Sequence, residues 1–280
     1  MIRLLKIELF KLLKNRISLV LICAYFIFLL GISILTTIKI EIGDMKIYLA
    51  EQGIFNFPYI WHLNTFMAAW LKIFFAVVIV SMIGNEYSYN TLKQNLIDGL
   101  SKQDFLLSKV YAIATFVLTS TVIVGLISLV LGWLYSDFKE WSIIFTDLEY
   151  LVAYAIKLFG FFSFCLFLGI FIRRSAFALG LLAIWQVVEF ILLGLMRWKL
   201  SDIIPEVSVE AVYRFFPLNA FSNLIKEPFS RLSAVQTVAS QIGEEITKDY
   251  SVQTEDMAIA LLWTALFIYA SYRMLKKRDL

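Results

Sequence analysis

Residues 84–109 read GNEYSYNTLKQNLIDGLSKQDFLLSK and form a polar stretch between two long apolar runs. Within it, residues 91–98 contain neither Gly nor Pro and place Leu92 and Leu96 one helical turn apart. This spacing predicts a short helix.

The residues that follow the short helix predict a stop and a new start. Gly99 tolerates positive φ, which is the usual way for a helix to end. Ser101, with Asp104 three positions later and an apolar run after it, is typical of a helix N-terminus. The stretch therefore predicts a helix, a sharp turn and a second helix at the mouth of a membrane span.

The composition places the rest of the chain in the membrane. Of 280 residues, 60% are apolar, and the mean hydropathy is +0.79. A span needs roughly 20 apolar residues to cross about 30 Å of hydrocarbon. Six stretches qualify and predict an all-α polytopic membrane protein: 17–38, 65–83, 110–134, 151–172, 176–195 and 257–275.

The segments outside the spans are short, apart from one. Residues 1–16 combine an apolar face with basic side chains, which favours an amphipathic helix in the membrane interface over a plain charged lead-in. Residues 196–256 form the largest loop, in which residues 231–247 have apolar side chains at helical spacing. We therefore treat residues 1–280 as one transmembrane domain with a largely helical outer loop.

Charge sets the expected orientation. The N-terminal segment, the even-numbered connections and the tail carry most of the basic residues outside the large loop, whereas the two short opposite loops carry Lys39, Lys46 and Lys139. Because basic residues in short loops mark the cytoplasmic side, both termini and residues 84–109 are expected there.

Three ionisable residues fall inside predicted spans: Lys72, Lys157 and Glu189. Placing an ionisable side chain inside a membrane costs free energy, so each of these residues is a candidate functional residue. One hypothesis is that Glu189 pairs with Lys157 or Lys72 inside the bundle. Independent snorkelling of each lysine is the alternative, and a proton or ion relay through Glu189 is a third.

The chain lacks motifs for catalysis or nucleotide binding. None of the twelve glycines belongs to a G-x-x-x-x-G-K-[ST] phosphate loop, and no G-x-S-x-G motif occurs. The single histidine, His62, is expected in the membrane interface, and the two cysteines fall inside spans, so no metal site is predicted. The chain is not expected to be an enzyme or to hold a cofactor.

A family resemblance follows from several short motifs. They are Glu86-Tyr87, Thr91-Leu92, Gly99-Leu100-Ser101-Lys102, Ser108-Lys109, Phe216-Pro217-Leu218-Asn219-Ala220 and the basic tail 276–280. With the six-span plan, they resemble the membrane subunit of a bacterial type-2 ABC exporter, the family of bacitracin and lantibiotic self-protection permeases. Asn90 stands where that family usually has Gly, and Lys102 where Arg is common.

The resemblance implies a function and partners. Residues 84–109 would be the coupling segment that docks on a separate ATP-binding subunit, present in two copies with ATP and Mg, beside a second permease chain, identical or different. The docking residues would be Glu86, Tyr87, Thr91, Leu92, Asp98, Gly99, Ser101 and Lys102. The transporter would lie in the bacterial plasma membrane and move an amphipathic peptide, lipid or drug by alternating access, with no nucleic-acid partner.

Two other functions stay open at this point. An ion-gradient-driven transporter or channel would use Glu189 with the two lysines and need no ATPase. A non-transporting assembly or sensor protein would use the large outer loop as its receptor surface.

Overall fold

The computed structural model describes residues 2–35, 40–42, 45–47, 53–200, 206–242 and 248–278. Nearly all of these are helical. The helices are α1 (Ile2–Lys14), α2 (Arg16–Leu35), α3 (Tyr59–Trp70), α4 (Lys72–Ser88), α5 (Thr91–Ile97), α6 (Lys102–Tyr135), α7 (Trp141–Ile144), α8 (Glu149–Ile172), α9 (Ser175–Leu200), α10 (Glu206–Tyr213), α11 (Pro217–Asn223), α12 (Ser233–Ile242) and α13 (Thr254–Lys277). A 3₁₀ turn covers Phe229–Arg231.

Five helices are long and apolar enough to cross a membrane, namely α2, α6, α8, α9 and α13 for most or all of their length. The number rises to six if α3 and α4 together form one span, since these two helices are bent by 42° at Leu71. The chain is therefore a multi-pass membrane protein. The predicted second span, 65–83, overlaps both of these helices and does not include a break between them.

The described part of the first long loop contains a small exception to the helical fold. Strands β1 (Ile40–Ile42) and β2 (Met45–Ile47) form an antiparallel hairpin in which Ile40 is opposite Ile47. The predicted all-α fold is confirmed, with this hairpin as a local exception: only two residues separate the strands, so it needs no distant partner.

Helix α8 lies at the centre of the bundle and packs against α3, α4, α6, α9, α11 and α13. Most of its side chains are buried, including Tyr154, Phe162 and Cys165. By contrast, α2 and α9 expose most of their apolar surface, as expected for helices that face lipid or another subunit.

The large loop begins with short helices that pack back on the bundle. Helix α11 contacts α8, α9 and α13, so it is buried among the spans. The predicted amphipathic helix over residues 231–247 is observed as α12, Ser233–Ile242; the remainder, residues 243–247, lies outside the described residues.

Candidate functional site

The polar stretch of residues 84–109 has the predicted local structure. Helix α5 ends at Ile97, and Gly99 has a φ of +95°. The Ser101 hydroxyl accepts the backbone N–H of Asp104 at 3.0 Å and donates to the Asp104 carboxylate at 2.6 Å. The prediction of helix, turn and capped helix is confirmed.

Asn90 stands where the exporter family that the sequence resembles usually has Gly, and its backbone conformation explains why Asn fits there. It precedes α5 with a φ of +56° and a ψ of 17°, in the left-handed region. Asn tolerates this conformation better than other non-glycine residues. The chain therefore makes the same kind of turn that a glycine would allow.

A buried ion pair network anchors this segment to the rest of the protein. The Lys109 Nζ lies 2.5 Å from Glu8 Oε2 and 2.7 Å from Glu86 Oε1, and its side chain is fully buried. Glu8 and Glu86 are also buried. A buried ammonium group needs such partners because an unpaired charge is expensive in the interior.

Two more groups complete the network. The Lys11 Nζ lies 3.0 Å from Glu86 Oε1, and the Thr91 hydroxyl donates to Glu86 Oε2 at 2.5 Å. Burial alone would lower the Lys11 pKa, but the nearby carboxylates of Glu8 and Glu86 outweigh it and raise this pKa. We call Glu8, Lys11, Glu86 and Lys109 the charge cluster; it contains two carboxylates and two ammonium groups.

The charge cluster joins four elements, because its residues lie on α1, α4 and α6 and Thr91 opens α5. Helix α5 is therefore held to the spans by a charge-assisted hydrogen bond as well as by the chain connection, because Thr91 donates to the Glu86 carboxylate. Glu86 in turn contacts Lys11 on α1 and Lys109 on α6, so α5 is coupled to these helices through one carboxylate.

The eight predicted docking residues divide into two groups. Glu86 and Leu92 are buried, Thr91 and Tyr87 are half-buried, and the Tyr87 ring lies 5.6 Å from the guanidinium carbon of Arg173. These four hold the segment in place. The others lie at the turn after α5, where Asp98, Gly99 and Ser101 are exposed and Lys102 is half-buried.

The C-terminal tail closes the same end of the bundle. The Lys102 ammonium group donates to the backbone carbonyl of Arg278 at 2.7 Å. The Arg278 guanidinium group donates to the carbonyls of Ile170 and Phe171 in the last turn of α8, at 2.5 and 3.1 Å. A cation at a helix C-terminus satisfies free carbonyls and favours the helix dipole.

A second polar centre lies near the opposite end of the bundle. The Glu189 side chain is 1% exposed, and its carboxylate accepts the backbone N–H groups of Leu218 and Asn219 at 3.1 and 3.0 Å. It also accepts the indole N–H of Trp185 at 2.7 Å. Glu189 thus binds the N-terminus of α11, whose first N–H groups have no partner within the helix.

Lys157 binds the other end of the same short helix. Its ammonium group donates to the carbonyl of Ser222, the second-last residue of α11, at 3.2 Å. Between the two ends, Gly160 allows close contact, since a Cβ atom there would lie 2.2 Å from the Phe221 ring. We call Glu189 and Lys157 the α11 clamp.

The hypothesis that Glu189 pairs directly with Lys157 or Lys72 is therefore wrong for this conformation, because no ion pair joins these three described residues. The carboxylate is occupied by backbone N–H groups, so α11 separates the charges and its dipole favours both of them. The Lys72 ammonium group lies over the Phe161 ring, 4.4 Å from its centroid, as a cation–π contact.

His62 lies in the protein interior. Its side chain is completely buried, and the ring stacks on Tyr150 with centroids 4.3 Å apart. The Nε2 atom is 2.9 Å from the carbonyl of Lys226, and Nδ1 is 3.2 Å from the Arg231 guanidinium group. His62 attaches residues 226–231 of the large loop to the bundle, which no local sequence signal indicated.

Sequence reasoning did not assign site roles to Glu8, Lys11 or Lys109. One signal could have found Glu8, because it is the single carboxylate in α1 and lies between Leu5 and Leu12 on the apolar face. An acidic residue at a position that should be buried predicts a buried cationic partner. The identity of that partner cannot be read from the spacing.

The comparisons with known proteins give a family but no activity. A search of curated proteins finds no match to this sequence. The family model described as "Protein of unknown function (DUF2705)" matches residues 47–280. This range includes α5, α11 and every described helix from α3 to α13, so the chain belongs to the DUF2705 family.

Proposed function

We propose that the chain is the membrane permease subunit of an ATP-driven ABC exporter, with residues 84–109 as its coupling segment. The observation that carries this proposal is the charge cluster, which joins α1, α4 and α6 and to which the short helix α5 is hydrogen-bonded through Thr91. A segment that receives force from a soluble partner needs such an attachment, since a loosely tethered loop would move without moving the spans.

The outward surface of the segment supports docking. Tyr89 and Ile97 are 75% and 76% exposed, and Lys93, Gln94 and Asp98 are exposed beside them. This combination of one aromatic, one aliphatic and several polar side chains is typical of a protein interface, where apolar anchors lie inside a polar rim. The buried Glu86 would act through the charge cluster and not by touching the partner.

The partner would supply what the sequence of this chain lacks. No phosphate-binding loop occurs in the 280 residues, so ATP and Mg would be bound by two copies of a separate ATPase. A second permease chain would complete the transporter, and the exposed apolar surfaces of α2 and α9 offer area for it. The membrane would be the bacterial plasma membrane, with both termini cytoplasmic.

The α11 clamp bears on the ion-gradient alternative. A proton or ion relay needs free acceptor positions on its carboxylate, and hydrogen bonds already occupy three of the roughly four positions on Glu189. These contacts favour a role for Glu189 in holding α11. Transport of an amphipathic peptide, lipid or drug therefore stays the preferred proposal.

The test is affinity purification of the full chain in mild detergent from cells that carry its native neighbours, followed by an ATPase assay on the eluate. We expect a stoichiometric ATP-hydrolysing partner with wild type and at least a tenfold smaller yield with Ile97→Ser and Tyr89→Ala combined. Trp141→Ala is the matched control, because Trp141 is 66% exposed on α7, away from the segment. Recovery of the chain without any ATPase partner would overturn the proposal.

A further inference from the structure

Helix α1 has two faces with different surroundings. Glu8 and Leu12 are buried and Leu5 packs against the core. Positions 5, 8 and 12 recur every three to four residues, so they form one stripe along the helix. This inner stripe is held by the charge cluster, which fixes the direction in which the other face points.

The outer face of α1 alternates basic and apolar residues. Arg3, Lys6 and Lys14 are exposed, and between them Ile7 and Phe10 are 42% and 62% exposed. Large apolar side chains at such exposure on a strongly basic helix are typical of a helix that lies on a membrane surface.

These side chains line one open groove. Its volume is about 900 Å³, and its walls are Arg3, Lys6, Ile7, Phe10 and Lys11. Lys14 extends the same surface, since its ammonium group lies 5.5 Å from the centroid of the Phe10 ring. Apolar contacts and cationic groups thus alternate along about 16 Å of one helix face.

The charge of this groove is not balanced by α1 itself. The helix has one carboxylate, Glu8, and that group is buried against Lys109 on the inner side. Lys11 is turned toward Glu86, yet its side chain is 40% exposed and still lines the groove. The outer face therefore presents net positive charge to whatever contacts it.

We propose that this groove on α1 binds an anionic membrane lipid from the leaflet on the N-terminal side of the protein. The cationic side chains of Arg3, Lys6 and Lys14 would attract the headgroup phosphate, and the glycerol and upper acyl region would contact Ile7 and Phe10. Charge complementarity selects an anionic over a zwitterionic headgroup, because basic residues near a membrane surface are attracted to anionic lipids. The inference does not depend on the exporter proposal.

The lipid would bind directly beside the charge cluster. Lys11 lines the groove and contacts Glu86, so an anionic headgroup there competes with Glu86 for the Lys11 ammonium group. Lipid composition is therefore expected to influence how firmly α5 is held.

The experiment is a lipid-selectivity measurement on the full chain reconstituted in phosphatidylcholine vesicles. Spin-labelled phosphatidylglycerol and spin-labelled phosphatidylcholine are added in separate samples, and the immobilised fraction of each gives their relative affinity. We expect a preference for phosphatidylglycerol in wild type that falls up to about fivefold for each cation removed in Lys6→Gln and Lys14→Gln. Both side chains are exposed, so size-exclusion and circular dichroism profiles should match wild type.

The control is Lys93→Gln with Lys277→Gln, which removes two exposed cations from the same end of the protein outside the groove. An equal loss of preference in this control, or no loss in Lys6→Gln with Lys14→Gln, would overturn the proposal. Displacement of the labelled lipid by inorganic phosphate at matched ionic strength would also overturn it and indicate a site for a free anion. Loss of a protein partner without any change in lipid preference would identify the face as a protein interface instead.

Discussion

The charge cluster and the α11 clamp neutralise buried charge in different ways. In the cluster, two carboxylates and two ammonium groups from helices far apart in sequence compensate each other directly. In the clamp, one carboxylate and one ammonium group each bind an end of the same short helix and never meet. Removal of any one charge from the cluster should therefore lower the free energy of unfolding by leaving its partners unpaired. In the clamp, removal of one charge should affect mainly the end of α11 that this charge binds.

The largest effect is expected from Lys109→Met. This change leaves Glu8 and Glu86 buried with only the partly exposed Lys11 as a cation, and removing one partner of a buried ion pair typically costs about 3–5 kcal/mol. The free energy of unfolding would be measured by titration with a denaturing detergent. Lys93→Met, at an exposed position on α5, should change it by less than about 0.5 kcal/mol. Equal behaviour of the two variants would contradict a structural role for the cluster.

A smaller loss is expected from Glu189→Leu, which leaves the buried N–H of Leu218 without an acceptor, whereas the N–H of Asn219 is only partly buried. One unsatisfied buried group costs about 1–3 kcal/mol. Glu189→Gln keeps one oxygen acceptor and should lose clearly less stability in the same titration. If Gln and Leu are equally destabilising, the negative charge and not the hydrogen bonding is what α11 requires.

The packing of α11 is tested by Gly160→Ala. The added Cβ would lie 2.2 Å from the Phe221 ring, whose side chain is fully buried. Such overpacking costs about 1–3 kcal/mol, measured as a shift of the unfolding midpoint. Gly160→Ala combined with Phe221→Leu should recover part of the loss. Gly180→Ala is the control, because no atom lies within 4 Å of its Cβ position; a loss of similar size there would rule out the contact as the cause.

The smallest loss of stability is expected from removing one of three neutral hydroxyl groups that lie between the charge cluster and the α11 clamp. The hydroxyls of Tyr25, Ser120 and Tyr154 are buried and hydrogen-bonded to one another, with Tyr25 and Tyr154 2.7 Å apart. Tyr154→Phe removes one hydroxyl and leaves the other two paired, and interhelical hydrogen bonds in membrane proteins contribute on average about 0.6 kcal/mol. Tyr269→Phe, at a 61% exposed position, serves as the reference in the same unfolding titration. If Tyr154→Phe lowered the free energy of unfolding as much as Lys109→Met, these three hydroxyls would contribute as much to stability as the charge cluster.

Local signals in the sequence were sufficient to predict most of the long helices and the structure of residues 84–109. Long apolar runs predict spans because hydrocarbon accepts only backbone that satisfies its own hydrogen bonds. The turn at Gly99 and the cap at Ser101 could also be predicted, because each depends only on residues within a few positions of each other. The hairpin was missed although the sequence carries its signal, because apolar and charged residues alternate on both sides of Gly43-Asp44, a pair typical of two-residue hairpin turns. The break at Leu71 was missed because no Gly or Pro marks it.

The partners of the polar side chains were decided only by the tertiary structure. Lys109 meets Glu8 across 101 positions of sequence and Lys11 meets Glu86 across 75, and no periodicity encodes such distances. The sequence indicated that Glu189 and Lys157 need either a partner inside the bundle or access to the headgroups, because burial of a lone charge costs free energy. It could not indicate that α11 would be inserted between them, because backbone N–H and carbonyl groups are present at almost every position and only the fold decides which of them reach a buried charge.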